Sequence, residues 1–335
     1  MKLLIITQVV SDKHPVLGFF INWINEFSKT CEQVTVVCLE EGESNLSQNV
    51  KVLSLGKEKG ASKAKQLFNF YNHILQERQN YDVVFVHMNQ LYVILGWIVW
   101  KVMGKKVGLW YTHGTVTSSL KLATKLTDYI FTASHQSFNI ETKKKIVTGH
   151  GIDMDQFGIV DQEREIDLIT IGRVSKTKNL HTLIEAVTPL VKSHNVNLHI
   201  VGATVTKEDE TYQESLVSLA NEKGIGDSVV FRGPIPYSDL ASLRNNTKVF
   251  VTAAQNGSLD KVMLEAMASG MPVVSMAPGS LSLPLGDDQV SNSDELTNAL
   301  LRVIESGNYR RNDYVTYVKE NHSLERLVSK ILSVY

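Results

Sequence analysis

The sequence predicts an α/β protein with two doubly wound, parallel-sheet domains. Short runs of β-branched and apolar residues alternate with helical patterns, which is typical of parallel strands joined by crossover helices. This alternation restarts after an irregular, polar stretch at 149–165. A chain of 335 residues with 43% hydrophobic content is long enough for two such cores.

We therefore expect an N-terminal domain over 1–150 and a C-terminal domain over 151–335, with a hinge at 149–165. The last helix is a candidate to pack back on the N-terminal domain. Parallel sheets bind ligands beyond the carboxyl ends of their strands. Functional residues are thus expected in strand-to-helix loops, on a cleft that both domains face.

The predicted elements follow in chain order. The first half has seven predicted strands, with helices in the gaps, at 2–7, 34–38, 50–53, 83–87, 107–110, 129–132 and 145–147. The second half has five, at 168–171, 198–201, 229–231, 249–252 and 273–275. Helices are predicted there near 179–193, 211–223, 237–245 and 259–269.

Cysteine usage and the apolar runs indicate a reduced, cytoplasmic protein. Cys31 and Cys38 lie in a predicted helix end and a predicted buried strand, where cysteine usually acts as a small apolar residue. Only the four apolar residues 3–6 precede polar Thr7, so a secretory signal is not expected. The longest apolar run, 91–100, is about half of the ~20 residues that a membrane span needs, and it predicts a buried helix.

The net charge of −1 conceals two unequal halves. Residues 1–150 carry 17 Lys and Arg against 11 Asp and Glu, whereas the remainder carries 17 against 24. This balance disfavours nucleic acid as a partner and indicates either an anionic surface or substrate for the basic half, or merely solvated lysines. The late positive charges of that half are Lys101, Lys105, Lys106, Lys121, Lys125, Lys143, Lys144 and Lys145.

Two glycine-containing loops are candidates for phosphate or nucleotide binding. Gly18 follows the first strand, but its surroundings lack the G-x-G-x-x-G spacing of dinucleotide-binding proteins. It is either a ligand-lining or a plain turn glycine. Gly172 ends a strand and is followed by Arg173 and Lys178 before a helix begins. A guanidinium and an ammonium in such a loop suit a diphosphate leaving group, although a basic loop is often only solvated.

The segment 256–274 predicts a glycine turn, a helix that starts near Ser258 and a buried strand. Glu265 lies on this helix among small residues. Its carboxylate is suited to accept two hydroxyls of a ribose, and the alternative is an exposed helix acid. His113 follows a predicted central strand, as His87 and His135 follow others. Helical i, i+4 histidine spacing and D-x-D runs are missing from the sequence, so a metal site is not expected.

Five motifs occur in a fixed order through the second half. They are G-I-D-x-x-x-F at 151–157, G-R-V-x-x-x-K-N at 172–179, I-V-G at 200–202, F-R-G-P-I at 231–235 and L-E-A-M-A-S-G-M-P-V-V at 264–274. The stretch D-Y-I-F-T-A-S at 128–134 precedes them. Together these segments resemble the retaining family-4 glycosyltransferases of the GT-B class, also called glycosyl transferases group 1. The resemblance covers nearly the whole chain and implies two Rossmann-like domains facing across a cleft.

The resemblance also implies roles for particular residues. Arg173 and Lys178 would hold the donor diphosphate, Glu265 the ribose, and His113 would contact the transferred sugar on the acceptor side. Gly18 would lie beside that sugar, and Gly233, Pro234 and Ile235 would cradle the base. The expected donor-binding set is Gly18, Gly172, Gly233, Pro234, Ile235, Gly257, Ser258, Leu259, Asp260 and Lys261.

One departure from the family pattern concerns the donor site. The family usually has a second acid eight residues before the one that matches Glu265, followed by G-F-G, and here Gly257 stands in its place. Asp260 or the amides of Gly257, Ser258 and Leu259 are candidate substitutes. Lys261 stands where the family generally has an apolar residue, and it either assists phosphate binding or is solvated.

The implied reaction moves a hexose from a nucleotide sugar, a UDP-sugar being favoured over a GDP-sugar, to a hydroxyl with retention of anomeric configuration. Neither a metal nor another cofactor is expected, because two cations and helix amides near Ser258 would balance the phosphate charge. The expected acceptor is a lipid-linked or bacterial cell-surface glycan in polysaccharide biosynthesis. The 91–100 helix and its neighbouring lysines would make the enzyme peripheral on an anionic membrane.

Two other readings remain open at this point. A non-catalytic nucleotide-sugar binding protein or partner subunit would keep the fold after losing the acid at Gly257. A sugar epimerase or phosphorylase would share the two-domain layout, but no motif in the chain supports it.

Overall fold

The computed structural model describes residues 1–14, 16–157, 164–255, 257 and 259–335. The chain divides into two compact units. The N-terminal unit comprises Met1–Asp153, Pro236–Ser238 and His322–Tyr335, and the C-terminal unit comprises Met154–Ile235 and Asp239–Asn321. The division thus falls after Asp153, three residues beyond the expected boundary.

The described part of the N-terminal unit contains one parallel sheet of seven strands in the order β3-β2-β1-β4-β5-β6-β7. The strands are β1 (Lys2–Val10), β2 (Gln33–Glu41), β3 (Val50–Ser54), β4 (Val83–His87), β5 (Lys106–Trp110), β6 (Tyr129–Thr132) and β7 (Lys145–Val147). The helices between them are α1 (Phe20–Thr30), α2 (Lys63–Gln76), α3 (Gln90–Val102) and α4 (Ser118–Leu126).

The described part of the C-terminal unit repeats this plan with five parallel strands in the order β10-β9-β8-β11-β12. The strands are β8 (Ile166–Ile171), β9 (Leu198–Val201), β10 (Val229–Gly233), β11 (Thr247–Thr252) and β12 (Val273–Ser275). The helices are α5 (Leu180–His194), α6 (Lys207–Glu222), α7 (Tyr237–Asn245), α8 (Lys261–Ala268), α9 (Ser293–Ser306) and α10 (Asn312–His322).

The last helix, α11 (Leu324–Leu332), packs on the N-terminal unit beside α1. Leu327 and Ile331 lie in the same apolar core as Trp23 and Phe27 of α1. Beyond the helix, the Tyr335 hydroxyl donates a hydrogen bond to the Val84 carbonyl at 2.7 Å. The Tyr335 side chain therefore contacts the backbone of the first sheet.

The predicted strands all occur, whereas three helix predictions need correction. Helix α6 begins at Lys207 rather than near 211, because Thr206 and Asp209 form a capping box there. Helix α8 begins at Lys261, after the N-cap residue Asp260, and not near Ser258. The run 91–100 is buried on one side only, since Ile98 is 65% exposed.

Both cysteines are buried and free, as predicted. Burial raises the pKa of Cys31 to about 11 and that of Cys38 to about 12, so both thiols are protonated at neutral pH. Within the described residues, no helix combines the length and the apolar character that crossing a membrane requires.

His199 on β9 makes the stability of the C-terminal unit depend on pH. Burial and the nearby Arg232 lower the pKa of His199 from 6.5 to about 4. Arg232 Nε donates to His199 Nδ1 at 2.9 Å, and a protonated ring could not accept that bond. The free energy of unfolding should fall as the pH falls from about 6.5 to 4, since only the unfolded chain takes up the proton there.

Replacement of His199 by Gln should remove this share of the pH dependence, while replacement of the exposed His135 should leave it intact. Thermal unfolding midpoints at several pH values between 4 and 7 measure both slopes. Parallel curves for wild type and His199→Gln would contradict the assignment.

Candidate functional site

The carboxyl edge of the five-stranded sheet is held together by glycines. Gly172 and Gly202 follow β8 and β9 with φ of 153° and 150°. A Cβ on Gly202 would lie 1.8 Å from the Gly172 carbonyl oxygen, so a side chain cannot fit there. The Gly172 amide donates to the Val201 carbonyl and the Gly202 amide to the Gly233 carbonyl, each at 2.9 Å. The loops that follow these three neighbouring strands therefore begin side by side at the carboxyl edge of the sheet.

Arg173 leaves this edge and is oriented by a buried acid. Its Nε and Nη2 atoms both lie 2.7 Å from Asp209 Oδ2. That oxygen also accepts the backbone amides of Val205 and Thr206. Arg173 and these amides lower the pKa of Asp209 to about 2, so the acid is ionised at any physiological pH. Arg173 itself remains 47% exposed, which leaves part of its guanidinium accessible to a ligand.

Lys178 lies over the first glycine and forms an ion pair with Asp260. A Cβ on Gly172 would lie 2.9 Å from the Lys178 Cε atom. The lysine side chain thus extends across the space that this glycine leaves open. Lys178 Nζ lies 2.5 Å from Asp260 Oδ2, and these side chains are 21% and 20% exposed. The Gln255 amide donates to the Thr177 carbonyl at 3.0 Å. This bond ties the loop after β11 to the loop after β8.

Glu265 is buried in α8 rather than exposed on it, which excludes the alternative of an ordinary surface acid. Its Oε2 atom pairs with Nη2 of the fully buried Arg244 on α7. Its Oε1 atom lies 3.4 Å from Lys261 Nζ, one helical turn away. The Arg244 guanidinium also stacks over the Phe157 ring at 5.0 Å. Both oxygens of this carboxylate thus face a cation.

The remaining predicted donor residues lie in two loops of the same unit. Gly233 ends β10 with a φ of 68°, and the exposed Pro234 and half-buried Ile235 follow it. Gly257 is exposed and Leu259 is buried, while Ser258 lies outside the described residues. Because α8 begins at Lys261, its first-turn amides follow Asp260 and are not those near Ser258.

The two candidates in the N-terminal unit differ in accessibility. His113 is exposed after β5, and its Nδ1 atom accepts the Thr115 amide at 3.1 Å. Gly18 is buried in the loop before α1, where a Cβ would lie 2.7 Å from the Asp12 carbonyl oxygen. Its lack of a side chain therefore serves the packing of its own loop.

His87 is part of an aromatic cluster at the end of β4. Its ring stacks on Phe20 at 3.9 Å and lies 5.5 Å from the ring of Trp110. Thr7 Oγ1 lies 3.2 Å from His87 Nδ1. Within the described residues, no three His, Cys, Asp or Glu side chains are grouped so as to hold a metal ion.

Two contributors to the site escaped the sequence analysis. Asp209 had a detectable signal, because T-x-x-D at 206–209 is a helix-capping pattern. Arg244 follows the buried Leu240 by four residues, which places both on one helix face. A cation on such a face indicates a buried anionic partner, but only the structure identifies that partner as Glu265.

Two family models together cover most of the chain. Residues 153–320 match the model described as "Glycosyl transferases group 1". Residues 13–154 match the model described as "Glycosyl transferase 4-like".

Curated relatives share part of the sequence. A GDP-Man:Man(3)GlcNAc(2)-PP-Dol alpha-1,2-mannosyltransferase of Caenorhabditis elegans is 22% identical over 49% of this chain and 37% of its own length. A D-inositol 3-phosphate glycosyltransferase of Geodermatophilus obscurus is 28% identical over 45% of this chain and 36% of its own. The matches span less than half the length of either relative.

The fold has solved counterparts. Anabaena HepE in complex with UDP superimposes with a TM-score of 0.77 at 16% identity, covering 100% of this chain and 99% of that one. The lipopolysaccharide glycosyltransferase WaaG superimposes with a TM-score of 0.67 at 14% identity, covering 99% of each chain. Such neighbours, with the two parallel sheets, establish the GT-B fold.

The buried pair between Arg244 and Glu265 should be needed for stability. Replacement of Glu265 by Ala leaves the arginine charge buried without this partner, which typically costs about 3–5 kcal/mol. Chemical unfolding measures the loss, with the exposed Glu185→Ala on α5 as the control. Replacing both members, as Arg244→Met with Glu265→Leu, should cost less than Glu265→Ala alone. A loss below about 1 kcal/mol in Glu265→Ala would show that the pair is not structural.

Proposed function

Because the chain belongs to the glycosyl transferases group 1 family, we propose that it is a metal-independent, retaining hexosyltransferase. The donor is a UDP-sugar and the acceptor is a hydroxyl of a lipid-linked or cell-surface glycan. The observation that carries this proposal is the pair of cations, Arg173 and Lys178, in the loop that leaves the carboxyl end of β8. Ligands bind to folds of this class at that edge.

The two cations suit a diphosphate leaving group. As the bond to the sugar breaks, negative charge develops on the phosphate oxygens, and fixed positive groups stabilise it. Because Nε and Nη2 of Arg173 contact Asp209, its Nη1 atom is the one that can donate to phosphate oxygens, while Lys178 acts as a point charge. Together they supply the neutralisation that a divalent metal supplies in other transferases.

The loops around these cations would hold the rest of the donor. In the proposal Glu265 accepts the ribose hydroxyls, and Gly233, Pro234 and Ile235 contact the base. Structures of the neighbour HepE contain UDP, UDP with glucose, and UDP-glucose, which favours UDP over other nucleotides. The family resemblance assigns the sugar-side contacts to His113, whose ring is exposed after β5.

The chemistry is front-face attack by the acceptor hydroxyl, with the departing phosphate accepting its proton. The bond between the anomeric carbon and the phosphate oxygen breaks as the new glycosidic bond forms on the same face. The family resemblance supports this course, which needs no protein nucleophile.

Arg173→Ala should reduce turnover by about 10²-fold or more, because one charge-stabilising group contributes that much in other enzymes. The assay measures nucleotide released from UDP-, GDP- and ADP-sugars, with and without a bacterial lipid extract. Arg302→Ala is the matched control, since Arg302 is 50% exposed and also pairs with an acid, Asp288, at 2.7 Å. Equal turnover in Arg173→Ala and Arg302→Ala would overturn the diphosphate assignment.

A second candidate function is binding of a nucleotide sugar without turnover. Gly257 favours it, because an exposed glycine stands where the family has an acid. Both functions predict nucleotide binding through Arg173 and Lys178, but only the transferase releases nucleotide in step with new glycoside. A donor that binds tightly while neither free nucleotide nor glycoside forms would favour the binding protein over the transferase.

We further propose that the N-terminal unit docks on an anionic membrane. A pocket at the amino ends of β5, β6 and β7 is lined by Lys101, Lys105, Lys106, Lys125 and Lys144, with Asp128. Lys144 caps three carbonyls at the end of α4 and Lys106 pairs with Asp128. Lys101 lies over the Trp97 ring at 4.7 Å, and in the proposal its ammonium donates to lipid phosphates.

Apolar side chains adjoin this pocket on α3. Ile98 is 65% and Val102 84% exposed. Their spacing of four residues places both side chains on one face of α3. An apolar face beside lysines is typical of helices that lie in the membrane interface.

Lys101→Ala with Lys125→Ala should weaken binding to phosphatidylserine vesicles roughly thirtyfold, since each lysine near an anionic surface contributes about 1 kcal/mol. Sedimentation at low salt measures it. Lys192→Ala with Lys223→Ala, two exposed lysines of the other unit, is the control. Absence of wild-type sedimentation at low salt would end the membrane proposal and leave the transferase proposal untouched.

A further inference from the structure

Lys178, one of the two cations proposed to hold the donor diphosphate, is paired with Asp260. We propose that Asp260 is an internal competitor for the donor: its carboxylate holds Lys178 in the nucleotide-free protein and must be displaced by the diphosphate. This inference rests on the proposed function. It assigns to Asp260 control over how tightly the site binds phosphate-bearing ligands.

Three features of the pair support this role. The separation of 2.5 Å is that of a direct, charge-assisted contact. Both side chains are about four-fifths buried, so water screens their attraction less than on an open surface. Asp260 also precedes α8 as its N-cap residue, where a negative charge is favoured by the helix dipole. The Asp260 carboxylate therefore lies beside a cation and at a helix N-terminus, which are the two surroundings that favour a bound phosphate.

The Arg173–Asp209 pair differs from the Lys178–Asp260 pair in how much of the cation its acid covers. Asp209 is fixed by two backbone amides and by the capping box of α6, and its carboxylate holds the guanidinium without closing it off. Asp260 belongs to the loop before α8, where it is the N-cap residue and pairs with Lys178. Asp209 thus orients a cation that stays about half exposed, whereas Asp260 covers a cation for which a stronger anion would have to compete.

A diphosphate is such an anion. It brings more negative charge and more acceptor oxygens than one carboxylate, so it competes well for the ammonium. A nucleoside without phosphate has nothing to exchange for the carboxylate. The pair should therefore weaken every phosphate-bearing ligand by the free energy of separating it, and should leave uridine binding unchanged.

The test measures binding of UDP, uridine and inorganic pyrophosphate by calorimetry to wild type, Asp260→Asn and Asp260→Gly. Both variants should bind UDP and pyrophosphate about tenfold more tightly, equivalent to about 1.4 kcal/mol at 25 °C. Asp227→Asn is the control for loss of one negative charge, because Asp227 is exposed in the turn before β10, at the opposite edge of the sheet. Its affinity for UDP should match wild type.

A double replacement identifies the route of the effect. If Asp260 acts through Lys178, then Asp260→Asn should change UDP affinity by less than twofold in a Lys178→Ala background. The same tenfold gain in that background would overturn the proposal, as would unchanged or weaker UDP binding in both Asp260 variants. Thermal unfolding of each variant confirms that it is folded, and Asp260→Gly restores the residue that the family pattern has at this position.

Failure of the inference and failure of the proposed function give different results. Wild type that binds UDP with the same affinity as both Asp260 variants contradicts the competitor role alone. Wild type and all variants that bind neither UDP nor pyrophosphate contradict the donor site itself, and the inference with it.

Discussion

The close contact between Gly172 and Gly202 is the constraint on which the carboxyl edge of the second sheet depends. Two backbones approach so closely that a Cβ would overlap a carbonyl oxygen. Their amides join the ends of β8, β9 and β10 into one continuous edge. Arg173 begins its loop directly beyond this contact, and Lys178 returns over Gly172. The missing side chains therefore let the two backbones meet and let Lys178 extend over Gly172.

Charges around this edge are arranged in acid–base pairs instead of a simple basic patch. Arg173 pairs with Asp209, Lys178 with Asp260, and Glu265 with Arg244 and Lys261. Such pairing keeps partly buried ions solvated by the protein when a ligand is not bound. Under the proposed function, ligand binding would exchange one set of ionic contacts for another, and the affinity would depend on the difference between the two.

Periodicity was sufficient to predict the two sheets, because buried parallel strands are continuous apolar runs with turn residues between them. The strand ends and the loop carrying Arg173 and Lys178 followed directly. Side-chain pairing was not predictable: Glu265 and Arg244 are 21 residues apart, and Lys178 and Asp260 are 82 apart. The start of α8 was misplaced because Gly257 resembles a turn before a helix, while the actual cap is Asp260.

The half-exposed α3 shows a different limit of sequence analysis. Its composition is apolar nearly throughout, and such a run predicts burial on all sides. Only the fold shows that Tyr92, Val93 and Trp100 face the core while Ile98 and Val102 do not.

The return of α11 to the first unit has a consequence for how the chain folds during synthesis. Residues 322–335 supply Leu327, Ile331 and Tyr335 to the N-terminal core. A ribosome therefore has to release the whole second unit before the first can be completed, even though early domains generally fold first. A nascent chain stalled at 321 would hold a first unit with an open apolar surface under α1, which is the state in which chaperone binding would be expected.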